Sequence, residues 1–436
     1  MIECQVQKEP ANDKTIRKVV FAGIAGSVIE WYDYALYGAA ASLVINKLFF
    51  PALEGTIGML AAFATFAVGY FARPLGGVVI SHIGDRFGRK PALIFALTLM
   101  GASTVLLGLL PTYYTAGVWA TVFLVILRLL QGFGAGAELA GALTFVAEYV
   151  PVNRRAFFTS LINASTVVGI LCATFAFLMV SKLPEEAFLG WGWRVPFLFS
   201  AALFVVAFFI RKQLDETPEY VESMAKAAAQ KKANSVPIRE LLQHSPKEVF
   251  FAFLSVAGHQ AVSYILSVYS ISYMINNGGM TRTDSLTALV FASIAGIIGT
   301  PLMGLLADRV GAWKVFSFGC IFIACFAYPL FWMLGTHNLA IATLAMCICY
   351  GVGYGATSGS QGAFLVNLFP TRYRFSGVAL SRELNGMIVA GPTPFIAAAL
   401  VSMANGKPTY VAAYLMGCCI LSLIAILVIK QRSKHE

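Results

Sequence analysis

Apolar runs of roughly 20 residues or more recur from one end of the chain to the other, and they decide what it can fold into. An α-helix rises about 1.5 Å per residue, so a run of that length crosses about 30 Å of hydrocarbon. Within lipid a spanning segment must satisfy its own backbone hydrogen bonds, which makes long helices the default. Composition agrees, since 58% of residues are apolar and only 12% charged, about half the charged share of soluble domains.

Hydropathy places spans at 18–47, 56–82, 91–111, 115–149, 156–181 and 193–211, then at 247–276, 285–307, 313–335, 339–367, 376–403 and 408–430. The expected fold is an all-α membrane protein of twelve transmembrane helices in two six-helix bundles, residues 1–211 and 247–436. The one long polar stretch, 212–246, reads as a linker between them. Ser245-Pro246-Lys247-Glu248 has the capping-box pattern with proline at the first helical position, and marks the start of the seventh span. The first apolar run is too long for a signal segment and lacks a small-residue cleavage site, so it is read as the first span.

Lysine and arginine fix the orientation. With both termini cytoplasmic, 23 of them fall on the inner loops and tails, against Lys47, Lys182, Arg194, Arg282 and Lys407 outside. The net charge of +10 is then the positive-inside bias facing anionic lipid, and no nucleic-acid partner is implied. The eight cysteines have no histidine or aspartate neighbours of metal-site spacing. They read as reduced packing residues, with no metal and no cofactor. The chain contains no H-E-x-x-H, no G-x-S-x-G and no P-loop, so hydrolysis and ATP-driven pumping have no residues to carry them.

The two halves repeat. Gly132-Phe133-Gly134-Ala135-Gly136 matches Gly351-Val352-Gly353-Tyr354-Gly355 at an offset of 219, which also pairs Pro151 with Pro370 and Arg155 with Arg374. Asp85-Arg86-Phe87-Gly88 recurs as Asp308-Arg309-Val310-Gly311 at an offset of 223. Duplicated bundles suit alternating access to a pocket at the bilayer midplane. The glycines have a simpler use as well, because they let helices approach closely.

Gly84-Asp85-Arg86-Phe87-Gly88-Arg89-Lys90 resembles the signature loop of the major facilitator superfamily, and Arg128-Leu129-Leu130-Gln131-Gly132-Phe133-Gly134-Ala135-Gly136 resembles its span-four motif. Glu30-Trp31-Tyr32-Asp33-Tyr34, Arg73-Pro74-Leu75-Gly76-Gly77, Ala147-Glu148-Tyr149 with Pro151, Trp191-Gly192-Trp193-Arg194-Val195-Pro196-Phe197, and Glu216-Thr217-Pro218 are similar to its metabolite:proton symporter family. That family carries osmolytes such as proline and betaine and organic acids such as citrate, α-ketoglutarate and shikimate. The resemblance implies a monomeric secondary transporter of a bacterial inner membrane, with a small molecule and a proton as its partners and H+ as the coupling ion. Ala312 and Trp313 stand where the first loop has Arg89 and Lys90, which implies a weaker second gate.

Charges inside apolar spans are costly, about 3 kcal/mol on insertion scales, and are functional candidates by default. They are Glu30, Asp33, Arg73, Arg128, Glu138, His259, Arg382 and Glu383. Glu30, Asp33, Tyr34 and Tyr37 share one helical face, with Glu30 roughly 18 Å from the helix start. Arg128 lies about 20 Å deep in span four, on one face with Gln131 and Glu138. Asp33 or Glu30 is the expected proton site. Arg128, whose planar fork takes a carboxylate, is expected to bind the substrate or to pair with those acids when the pocket is empty; a fixed salt bridge between spans one and four is the plainer alternative. Glu138 is either a partner of Arg73 or part of the proton exit. His259 is either a proton carrier or a neutral hydrogen-bonded histidine. Gln260, Tyr264, Tyr350, Tyr354 and Gln361 line the pocket or pack helices, and only one of the adjacent Arg382 and Glu383 can face a ligand. Asp85, Arg86 and Arg89, with Asp308 and Arg309 in the second copy, are gate residues or topology anchors. The expected function is proton-driven import of an organic acid; a zwitterionic osmolyte or export by the same fold are the alternatives, and a non-transporting sensor is a further rival.

Overall fold

The computed structural model describes residues 13–53, 55–87, 89–136, 138–213, 241–243, 245–370 and 374–432. Among them every regular element is helical. The principal helices are α1 (Asp13–Ala40), α2 (Gly55–Phe87), α3 (Arg89–Leu109), α4 (Val118–Gly134), α5 (Glu138–Tyr149), α6 (Arg155–Ser181) and α7 (Arg194–Gln213). They continue as α8 (Pro246–Asn276), α9 (Arg282–Val310), α10 (Ala312–Leu334), α11 (Leu339–Leu368), α12 (Arg374–Met403) and α13 (Thr409–Arg432). Ten helical stretches among the described residues are long and apolar enough to cross a bilayer, α4 and α5 counting together, and α3 adds a shorter apolar stretch, Ile94–Leu109. Large side chains such as Leu75, Trp119, Phe199, Leu302 and Trp332 point outward from these helices, as a lipid solvent requires. Most of the predicted linker lies outside the described residues.

One local expectation is refined and one corrected. Span four stands as one stretch, Val118–Tyr149, but it carries a turn at Ala135 and Gly136, after α4 ends at Gly134 and before α5. Three glycines in five residues lower helix propensity there, and the Ala135 carbonyl is taken by Arg73 Nη2 at 3.1 Å. At the start of α8, Pro246 does occupy the first turn, but the Ser245 side chain makes no capping hydrogen bond. Capping by side-chain oxygens occurs instead at Thr281, which accepts from the Asp284 amide, and at Asn338, which accepts from Ala340 and Ile341.

The tryptophan-rich motif before α7 is structural. Arg194 donates to the carbonyls of Gly108 and Leu110, which α3 leaves unpaired at its C-terminus. Trp193 packs edge-on against Phe49 and Phe197, and the Tyr32 hydroxyl donates to Pro196 O.

Glycines set the spacing of the central helices. A Cβ on Gly76 would overlap the Phe133 carbonyl, and one on Gly132 would overlap that of Gly69, so α2 and α4 touch backbone to backbone. In the second half Gly299 meets Gly351 O in the same way. The sequence repeat is thus also a packing repeat. It reappears in the arginines at offset 219: Arg155 Nε donates to Ala147 O and Arg374 Nε to Val366 O, each eight residues back. Each then reaches the other half of the sequence, Arg155 to Asn367 at 2.9 Å and Arg374 to Glu148 at 3.5 Å. The seven described cysteines are free.

Candidate functional site

Three buried layers of polar side chains lie where α1, α2, α4, α8, α11 and α12 converge. Arg73 centres the first. Its Nη2 is 2.7 Å from Glu30 Oε1 on α1, and its Nε is 3.1 Å from Glu383 Oε2 on α12. The guanidinium lies 4.9 Å from the Tyr34 ring centre and 5.3 Å from that of Tyr70, a cation–π arrangement that helps hold a charge away from water. The Tyr70 hydroxyl donates to that of Tyr264 on α8, and Trp31 packs beside Tyr264. Tyr34 and the second Glu30 oxygen find no hydrogen-bond partner among the described residues.

Arg128 forms the second layer and is fully buried. It donates to the side chain of Gln131 and to Phe66 O at 3.0 Å, and its guanidinium sits 3.9 Å from the Tyr37 ring centre. Gln131 donates to Thr104 Oγ1 and to the backbone carbonyl of Asp33, so α4 and α1 do meet at this level. Among the described residues Arg128 makes no ion pair, and Asp33 Oδ1 has no hydrogen-bond partner. The expected pairing of Arg128 with the acids of α1 is therefore not what forms. Glu30 goes to Arg73, because the Arg128 fork is turned onto a ring and a carbonyl. Arg73 is likewise held by Glu30 and Glu383, while Glu138 sits half-buried at the start of α5.

The third layer belongs to the second half. His259 Nδ1 is hydrogen-bonded to Thr357 Oγ1 at 2.9 Å, and its ring lies 5.0 Å from that of Tyr354, which packs on Tyr350. Gln260 is buried beside it. Arg382 Nη1 donates to Gln361 Oε1 at 3.1 Å and makes no ion pair among the described residues. Glu383, one residue on, faces Arg73 instead, so the two neighbours do diverge.

The two ends of the helical array differ. Toward the end bearing Lys47, a cavity of about 880 Å3 is lined by Asn46, Met59, Tyr269, Ser272, Asn276 and Ser402, among others. Below it Ser42 Oγ donates to Val268 O at 2.9 Å, and Gly38 leaves room for the Val268 side chain. Both segments of this contact carry a π-helical turn, at Ala41–Ile45 and Ile265–Tyr269. At the other end the halves are braced by the Arg155 and Arg374 contacts. Asp308 adds to them by accepting from the amides of Ala156 and Phe157, both at 2.9 Å, at the start of α6, an anion at a helix N-terminus. The second copy of the signature loop thus makes a full cross-contact despite Ala312 and Trp313. Arg309 is exposed. Gly88 and the side chains of Asp85, Arg86 and Arg89 lie outside the described residues.

Sequence reasoning did not find Tyr70 or the joining of Arg73 to Glu30 and Glu383. Arg73-Pro74 stood in the motif, but its partners come from helices whose rotation no hydropathy pattern records.

The sequence model of the Major Facilitator Superfamily matches residues 24–392. The chain is 34% identical to the shikimate transporter of Escherichia coli K12 over 96% of its own length and 95% of that protein. It is 36% identical to the inner membrane metabolite transport protein YhjE of the same strain, covering 98% and 96%, and 31% identical to its proline/betaine transporter, covering 97% and 85%. In fold it resembles the D-xylose-proton symporter, with a TM-score of 0.73 at 18% identity over 95% of this chain and 97% of that one. Sequence along nearly the whole length and the architecture agree: the chain belongs to the Major Facilitator Superfamily, a multi-pass membrane transporter and not an enzyme.

Proposed function

We propose that the chain is a proton-coupled symporter of a bacterial inner membrane that imports a small organic acid by alternating access. In this reading twelve spans form two six-helix bundles, residues 1–211 and 247–436, with the 212–246 linker and both termini in the cytoplasm. The Lys47 end then faces outward. The observation that carries the proposal is Arg128: a wholly buried guanidinium with no carboxylate partner among the described residues, beside Asp33 with a buried oxygen unpaired. Such a cation calls for an anion, and a bidentate carboxylate suits its fork. Arg73, Arg128 and Arg382 share this region with Glu30, Asp33 and Glu383, so an arriving monoanion keeps the buried charge balanced when one acid takes up a proton. Asp33 is assigned that proton, with Tyr37, Gln131 and, from the second half, Arg382 and Gln361 around the substrate. The relatives named for shikimate and for inner-membrane metabolite transport support this class.

A zwitterionic osmolyte is the second reading. Tyr34, Tyr37, Phe66 and Tyr70 form an aromatic wall of the kind that holds quaternary ammonium groups, and other relatives are named for proline and betaine. Uptake into proteoliposomes from labelled mono-, di- and tricarboxylates and betaines, with and without an inward pH gradient, decides between them. Accumulation of a carboxylate that collapses with a protonophore is the expected result; accumulation indifferent to the gradient rejects proton coupling.

A further inference from the structure

Arg73 lies between two carboxylates that are not equivalent. Glu30 is 1% exposed, sits at 2.7 Å, and comes from the same half of the sequence. Glu383 is 14% exposed, sits at 3.1 Å, and comes from the other half. If Glu383 lets go, Arg73 keeps Glu30, the Ala135 carbonyl and the faces of Tyr34 and Tyr70. A buried charge that stays paired is released without the full desolvation penalty. Losing Glu30 instead would loosen two helices of one half and part nothing between the halves.

The seam around Glu383 is built to move. Gly386 and Gly391 turn only backbone toward Tyr70 of α2, and a π-helical turn, Gly386–Ala390, begins three residues after Glu383. The charged and titratable groups that act on Glu383 are Glu30 and Tyr34 on α1, Arg73 on α2 and Arg382 on α12 itself; one group further out, Tyr70 neighbours Arg73, Glu138 neighbours Glu30, and His259, Tyr264 and Tyr354 neighbour Arg382. Among the described residues Arg73 is the one cation ion-paired to it.

Resting on the symport reading, we propose that Glu383 is a proton-accepting residue of the transport cycle. Ionised, it ties α12 to Arg73 and keeps the seam between α2 and α12 shut at the Arg374 end. Protonated by a proton from solvent, it gives up the ion pair, Arg73 stays with Glu30, and the seam parts. The proton returns to solvent on the other side, and no covalent bond apart from the O–H changes.

The test needs no substrate, so its failure is separate from failure of the uptake experiment. Thr159, buried against Gly362 across the two halves, is replaced by cysteine in the full chain in proteoliposomes. Its reaction with a membrane-impermeant maleimide is read at that position by peptide mass spectrometry at pH 8 and pH 5, and every rate is taken relative to that of an exposed reference cysteine, Val152→Cys, at the same pH, because the reacting thiolate itself becomes scarce in acid. The expected rate rises roughly tenfold on acidification, as for a state going from a minor to a major population. Glu383→Gln reacts at the fast rate at both values. Glu383→Asp, whose shorter carboxylate is drawn away from Arg73, moves the midpoint to higher pH, and supplies the answer if the Gln variant does not fold. A Glu383→Gln protein that follows pH like its parent, one that stays slow throughout, an unmoved midpoint in Glu383→Asp, or a parent rate indifferent to pH overturns the proposal.

Discussion

The guanidinium of Arg128 rests 3.9 Å from the centre of the Tyr37 ring, with no carboxylate from the chain to share its charge among the described residues. Charged hydrogen bonds are worth about 1.5–3 kcal/mol, and lysine cannot reproduce a two-pronged contact. Arg128→Lys is expected to weaken substrate binding roughly 10- to 100-fold while thermal unfolding without substrate stays near that of the parent. Binding measured by calorimetry checks this, and an unchanged affinity removes Arg128 from the binding site.

Asp33 contributes an oxygen, Oδ1, that no donor among the described residues meets. Asp33→Asn keeps the shape but cannot release a proton. Uphill accumulation is expected to vanish while exchange of labelled for unlabelled substrate across the membrane continues. Full accumulation by the variant would assign the proton elsewhere.

Backbone contact between α2 and α4 makes a stability prediction that is independent of function. Gly76→Ala places a methyl group into the Phe133 carbonyl, which cannot rotate aside. Overpacking of this kind costs about 1–3 kcal/mol. Gly417→Ala, where nothing lies within 4 Å, is the matched control and is expected to unfold at or slightly above the parent temperature. Thermal unfolding in detergent compares the two.

The reciprocal arginine braces are unequal: Arg374 meets a glutamate, Arg155 an asparagine. Asn367→Asp adds a carboxylate to Arg155 beside the field it already has from Glu148, worth about 0.2–1 kcal/mol of ion-pair energy at this solvent-facing site. The expected result is a lower maximal transport rate with little change in the half-saturating concentration, because the braced state lives longer. Asp308→Asn, which loosens α6 from α9 at the same end, is expected to shorten the life of that state and to raise the maximal rate. Initial-rate kinetics in proteoliposomes separates rate from affinity.

Much of this architecture is legible in the sequence, because lipid imposes one rule on every span and the rule shows as hydropathy. Among the described residues each predicted span falls on helical segments, and the offset of 219 that pairs Arg155 with Arg374 reappears as the same eight-residue hydrogen bond in both halves. What the sequence withholds depends on rotation and tilt. Glu30 and Arg128 lie at neighbouring depths by residue count, yet Glu30 turns to Arg73. Helix irregularities are hidden for a related reason: the extra residue in Ala41–Ile45 or Gly386–Ala390 leaves apolar composition untouched, and the glycines near Ala135 signal close packing as readily as they signal a break.

That break separates α4 from α5 at the carbonyl to which Arg73 is bonded. A continuous rod must swing as a whole and drag its far end through the lipid. In a jointed one the two pieces move separately. Val118–Gly134 can stay locked to α2 through its glycines while Glu138–Tyr149, which carries Glu148 toward Arg374, tilts on its own. Movement at the Arg374 end is thereby uncoupled from the footing of Arg128, so under the proposed function the residue assigned to the substrate holds still while the far piece of the jointed span tilts.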